Sequence, residues 1–188
     1  GGGNVIAYNY ADNSWADPPA WQEVNIDTHC SFPHMELMEG NCAPPAVANS
    51  TVKQTGNITA IQFDQGDINM TVIGNVLGSS AATDLGTAPL SKNYIADGSE
   101  SGAIFDFGPK GKSDVSYTTL WLHGNYDTVN QAVQWNPSIP TQTLPASLYL
   151  AGQPAWWPSG TPWPWAGPDL SPMVGTLPAK ARSDQMAP

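Results

Sequence analysis

Three carboxylates lying close together in the chain, Asp27, Glu36 and Glu39, are the side chains best suited to do chemistry. A pair of carboxyl groups ~5 Å apart serves a retaining glycoside hydrolase, and roughly 6.5–9.5 Å leaves room for the water of an inverting one. Leu37 stands two residues before Glu39, so the two share one face if this segment is a strand. Trp121, His123, Trp156 and Trp157 add flat rings on which a sugar could stack. The candidate catalytic set is therefore Asp27, Glu36 and Glu39, and the candidate contact set is Leu37, Trp121, His123, Trp156 and Trp157. The competing reading of this face is a packing surface for a tryptophan-rich tail. His29 and His34 are five apart with Cys30 between them, a spacing that does not gather ligands on strand or loop, and His123 is distant. Hydrogen-bonded structural histidines are expected, and no metal site. There is no Gly-x-Ser-x-Gly elbow, phosphate loop or paired Cys-x-x-Cys, which leaves nucleotide chemistry and zinc modules without support.

A repeated phrase would position these residues. Leu37-Met38-Glu39-Gly40-Asn41-Cys42, Thr71-Val72-Ile73-Gly74-Asn75-Val76 and Trp121-Leu122-His123-Gly124-Asn125-Tyr126 share an apolar strand that runs into Gly-Asn. Val5-Ile6-Ala7-Tyr8-Asn9-Tyr10 is a fainter copy. The asparagines at 9, 41, 75 and 125 are 32, 34 and 50 residues apart, which suits one coil of a solenoid with a loop inserted in the longest interval. Three separate hairpins would be the other source of Gly-Asn turns. Aligned on the asparagine, Ile6, Met38, Val72 and Leu122 form an inward apolar column. The columns Val5, Leu37, Thr71, Trp121 and Ala7, Glu39, Ile73, His123 point outward. Glycine suits a corner of positive φ, and stacked asparagine amides at roughly 4.8 Å would form a ladder.

Composition bounds the rest. The 188 residues form one domain with a core, carrying a formal charge of −10 and only six basic residues. Nucleic acid and anionic membrane surfaces are poor partners for such a chain. No apolar run approaches the ~20 residues that span a bilayer. Cys30 and Cys42 flank the second corner; in an exported protein they could form a disulfide, and otherwise they are two buried thiols. Asn49, Asn57 and Asn69 occupy glycosylation sequons. The chain opens on Gly1-Gly2-Gly3 and enters a coil at once. That start leads us to expect part of something longer, with an upstream coil segment or another subunit against the N-terminal coil edge.

Coils are expected over residues 1–135. Residues 136–178 hold ten of the eighteen prolines and half of the eight tryptophans. Proline removes a backbone donor, so this segment cannot extend a sheet, yet it is too apolar to float free. An extended wrap or cap over the coils is expected, the alternative being an aromatic platform for sugars. Residues 179–188 turn polar and are expected to fray.

Trp21-Gln22-Glu23, His29, the phrase from His34 to Asn41, and the tail LPASLYLAGQPAWWPSGTPWPW (144–165) followed by LPAKARSD (177–184) carry a resemblance. On these residues the chain resembles bacterial secreted proteins of the right-handed parallel β-helix, or pectate-lyase-like, class. The resemblance implies an all-β fold of a few coils closed by the Pro/Trp-rich cap. It also implies export to the extracellular space or cell surface, and an outer sheet face that binds or acts on polysaccharide. Lyases of that class need Ca2+ held by carboxylates and an Arg or Lys base. Asp64, Asp67, Asp97 and Asp106 are present, but no loop of closely spaced aspartates accompanies them, so turn aspartates are the expectation and Ca2+ is the one cofactor left open. The alternative role is structural: a subunit of an extracellular assembly built by stacking or docking of coil edges.

Overall fold

The structure is a computed structural model that describes residues 2–11, 15–17, 21–22, 25–28, 33–43, 59–78, 83–84, 88–89, 95, 104–166 and 175–186. Its strands are β1 (Val5–Ala7), β2 (Trp15–Asp17), β3 (Trp21–Gln22), β4 (Ile26–Thr28), β5 (Leu37–Glu39), β6 (Cys42–Ala43), β7 (Ile61–Phe63), β8 (Thr71–Ile73), β9 (Val76–Leu77), β10 (Thr83–Asp84), β11 (Ala88–Pro89), β12 (Phe105–Asp106), β13 (Trp121–His123), β14 (Asn125–Asp127) and β15 (Ala132–Gln134). Two short helices follow the same order, α1 (Val115–Thr118) and α2 (Pro178–Met186), with a 3-10 stretch over Gly108–Ser113. The protein is β-rich, and its principal sheets are parallel.

Three ladders repeat along the chain. The first sheet runs β1-β5-β8-β13, the second β6-β9-β14-β15, and the third β4-β7-β12. A bridge from Tyr10 to Cys42 lengthens the second sheet, and bridges Gly2 to His34 to Ile68 form a short fourth ladder. In the first sheet the register joins Val5, Leu37, Thr71 and Trp121, then Ile6, Met38, Val72 and Leu122, then Ala7, Glu39, Ile73 and His123. These are the columns read from the repeated phrase. Antiparallel hairpins β2/β3 and β10/β11 are excursions from the ladders. The long interval before Asn125 carries β10/β11, the 3-10 stretch and α1.

The corner after the first sheet needs left-handed backbone. Gly40, Gly74 and Gly124 supply it at φ 65°, 63° and 64°, and Tyr8 takes the same place at φ 57°. Asn41, Asn75 and Asn125, next along the chain, are wholly buried. Each amide bonds the next: Asn9 Nδ2 donates to Asn41 Oδ1 (3.1 Å), Asn41 Nδ2 to Asn75 Oδ1 (3.0 Å), and Asn75 Nδ2 to Asn125 Oδ1 (2.9 Å). The same oxygens also accept the backbone N–H of Asn9, Asn41 and Asn75. Spare amide protons reach carbonyls of the preceding coil, such as Ile6, Met38 and Val72. A second corner, at Gly3, Met35 and Asn69 (φ 77°, 57° and 58°), has no shared glycine to announce it.

Inward residues of all three sheets make one core. Met38 and Val72 meet Ala43 and Leu77 of the second sheet and Ile61, Phe63 and Phe105 of the third. Phe63 stacks on Phe107 at 5.5 Å and on Phe105 at 6.5 Å. Burying each such side chain is worth ~1.5–3 kcal/mol. Asp67 is wholly buried at the core's edge, where Thr28 Oγ1 and the Asp64 amide donate to Oδ2 and Oδ1 has no partner. The end of the chain departs from the expected frayed tail. Residues 178–186 form α2, because Pro178 suits a first helical position, Ala179, Lys180, Ala181 and Arg182 are good helix formers, and Lys180 bridges Asp184 four residues on (2.7 Å).

Two outcomes follow. Asn75→Ala strands the donors of Asn41 in the interior and should cost about 3 kcal/mol, whereas Asn9→Ala at the exposed end of the ladder should cost under ~1 kcal/mol, both read by urea denaturation. Burial, the largest cause, raises the Asp67 pKa above the ordinary 3.8. A raised carboxyl favours folding below 3.8 and loses that contribution as pH climbs through the raised value. Asp67→Asn should therefore flatten the loss of stability as pH rises above 3.8, read by urea denaturation across that range.

Candidate functional site

The proline-rich segment after β15 crosses the first sheet and divides its outer face. Leu148 N–H donates to Glu39 Oε2 (2.7 Å), and Tyr8 Oη donates to Glu39 Oε1 (3.1 Å). Trp163 Nε1 donates to Tyr8 Oη (3.0 Å), and Trp165 Nε1 to the Gly40 carbonyl (2.5 Å). At the far end, His123 Nδ1 accepts from the Asn136 amide (3.2 Å), which leaves Nε2 to donate to the Thr141 carbonyl (3.1 Å). Leu144 seats on Gly74 and Gly124; a Cβ on Gly124 would lie 2.2 Å from Leu144 Cδ2. The outward column Ala7, Glu39, Ile73, His123 is thereby covered, with Glu39 6% and His123 5% exposed. The neighbouring column, which ends in Trp121 at 57% exposure, stays open.

The candidate carboxylates are not brought to one site. Glu39 is held by Tyr8 and Leu148. Glu36 is also buried and accepts from Asn4, at Oε2 from the backbone amide (3.1 Å) and at Oε1 from Nδ2 (2.9 Å). Asp27 belongs to β4 in the third sheet, paired with Gln62, away from the face that carries Glu39. Leu37 and Trp121 do share the open column, in register through Thr71. Trp156 and Trp157 diverge: Trp156 is 64% exposed, while Trp157 is buried against Tyr8 at 5.0 Å with its indole N–H on the Pro162 carbonyl (3.2 Å).

The remaining candidates have structural places or lie elsewhere. Cys42 is buried in β6. Asn69 sits exposed at the second corner, its backbone amide on Thr119 Oγ1 (3.0 Å). His29, Cys30, Asn49, Asn57 and Asp97 lie outside the described residues. Asp106 Oδ1 accepts from the Gly108 amide (2.8 Å) in its own turn. Among the described residues no group of three or more His, Cys, Asp or Glu is arranged to hold a metal ion. No helix among them is long and apolar enough to cross a membrane.

Sequence reasoning missed Tyr8. Its ring meets Tyr149, Trp156 and Trp157 with centroids at 6.3, 6.2 and 5.0 Å, and its hydroxyl links Trp163 to Glu39. Burial, then the Glu39 charge, drives the Tyr8 pKa far up, so the hydroxyl stays a donor. The signal was a bulky residue standing in a glycine column.

Tyr8→Phe removes that donor from Glu39 and should cost ~1–3 kcal/mol, with faster hydrogen exchange at the Leu148 amide as the local readout. Comparisons with protein families, curated proteins and solved structures give no match for this chain.

Proposed function

We propose that this protein is an exported right-handed parallel β-helix that binds extracellular polysaccharide on the uncovered half of its first sheet. The repeated sheet order and the asparagine ladder support the architecture. The observation that carries the binding reading is Trp121, more than half exposed at one end of a column otherwise made by Val5, Leu37 and Thr71. Three steps of ~4.8 Å make a stripe of roughly 14 Å, long enough for several contacts along a glycan chain. An indole face covers the apolar face of a sugar ring and buries its C–H groups. Val5, Leu37, Thr71 and Trp121 bring no cation to the stripe, and a formal charge of −10 disfavours an anionic polymer, so a neutral glycan fits best. Glu39 acts in this reading as the fastening point of the tail, and the protein binds its glycan without cleaving it.

A second reading rests on the opposite edge of the same sheet. β1 is the terminal strand of its ladder, and Asn9, unlike its three counterparts, is exposed, with Oδ1 accepting nothing among the described residues. A further coil, from upstream sequence or from another subunit, would continue the ladder there and give the protein a structural role in an assembly.

Trp121→Ala should lower affinity for the bound member of a neutral polysaccharide panel about tenfold without changing the melting temperature. Unchanged affinity would remove the stripe as the contact surface. Open-ended assembly in light scattering, lost in Asn9→Ala, would put the structural reading first.

A further inference from the structure

The tail and α2 enclose a groove of about 920 Å³ that the glycan stripe does not use. Its walls are Trp156, Pro158, Pro178 and Met186, with Arg182 and Gln185 on the α2 side. The volume is in the range of small-molecule sites, which combine apolar walls with a few polar groups. The Trp156 ring packs against Trp157 (5.4 Å, tilted 51°) and Tyr8 (6.2 Å), and most of its surface remains exposed. The cations of α2 differ in circumstance. Lys180 is engaged by Asp184 (2.7 and 2.9 Å) and lies 5.4 Å from the centre of the Tyr10 ring. Arg182, two residues on and therefore on a different side of α2, is exposed on the groove wall and makes no ion pair among the described residues.

We infer that this groove binds a small aromatic carboxylate, its ring against Trp156 and its carboxylate on the Arg182 guanidinium. A guanidinium presents a planar fork that matches two carboxylate oxygens, and such charge-assisted pairs outweigh neutral hydrogen bonds. The Gln185 amide beside it can donate a further hydrogen bond. Proline rings and the Met186 thioether complete an apolar slot that suits a flat ring. In a chain of net charge −10, this guanidinium gives an anion a local reason to bind where the overall field does not. The inference is independent of the glycan reading, because none of its residues lies in the open column.

The test is calorimetric titration of the intact protein with 3-phenylpropionate, its neutral amide and 3-cyclohexylpropionate. The aromatic acid should saturate one site, with the amide about tenfold weaker. Arg182→Gln should abolish the difference between acid and amide, and Trp156→Ala should abolish the preference for the aromatic over the cyclohexyl acid. Both side chains are exposed, so the variants should keep the parent melting temperature, which is measured alongside. Absence of saturation, equal binding of acid and amide, or discrimination that persists in Arg182→Gln would overturn the inference. A cyclohexyl acid that binds as well as the phenyl acid would overturn the stacking half of it.

Discussion

The corner after the first sheet is the constraint on which the rest depends. Turning the chain there takes left-handed backbone, which glycine enters freely and other residues enter at a cost. The turn also carries peptide groups into the interior, where an unpaired donor costs more than a formed bond returns. Glycine answers the first demand and the asparagine beside it the second, since its amide offers an acceptor to the coil before it, one donor to the coil after it and another back to a carbonyl of the coil before. Because each amide bonds its counterpart, the strands meet in a single register. A slip of one residue would break every rung of the ladder and also exchange the inner and outer columns. The aliphatic column of Met38 and Val72 and the phenylalanine stack of the third sheet are aligned by this polar spine.

The tail depends on the same corners. Gly124 lacks the Cβ atom that would exclude Leu144, so the residue type that permits the turn also makes the seat for the wrap. Tyr8 shows the reverse arrangement. It accepts a left-handed backbone that glycine holds elsewhere, and in return its side chain reaches Trp157, Trp163 and Glu39 together. Strained backbone persists when its surroundings over-determine it, and here they include four tail aromatics, Tyr149, Trp156, Trp157 and Trp163, and a buried carboxylate. The wrap hides the column that carries Glu39 and His123 and leaves the one that carries Leu37 and Trp121, so which side chains can meet a ligand is decided by the tail.

Much of this was legible in the sequence because the signals were periodic. The Gly-Asn phrases gave the first corner, the three columns and their register, and the long interval before Asn125 located the excursion. The second corner was not legible, since Gly3, Met35 and Asn69 share no residue type and Met35 adopts positive φ with nothing in its chemistry to advertise it. The candidate carboxylates illustrate a different limit. Glu36 and Glu39 belong to the phrase that runs into Gly40-Asn41, but their partners, Asn4, Tyr8 and Leu148, come from positions 32, 31 and 109 residues away, and nothing local encodes such pairings. Trp156 and Trp157 are adjacent and alike in sequence, and both rings reach Tyr8, yet only Trp157 is buried, with its indole N–H on the Pro162 carbonyl. Helix α2 was hidden by its polarity: the helix buries no residue of its own, so no apolar stripe marked it.

The bonds that tie the tail to the first coils span 155, 125 and 109 residues, from Trp163 to Tyr8, Trp165 to Gly40 and Leu148 to Glu39. Contacts of such separation are entropically expensive to close and slow to form. The coil that carries Tyr8 and the strand that carries Glu39 are translated before the tail and are therefore completed only after it. Until residues near position 165 emerge, Tyr8 holds its left-handed backbone without its hydroxyl acceptor's partner amide or its indole donor, and Glu39 waits with it. Synthesis runs from Tyr8 toward the tail, while the bonds that consolidate Tyr8 and Glu39 form in the opposite sense.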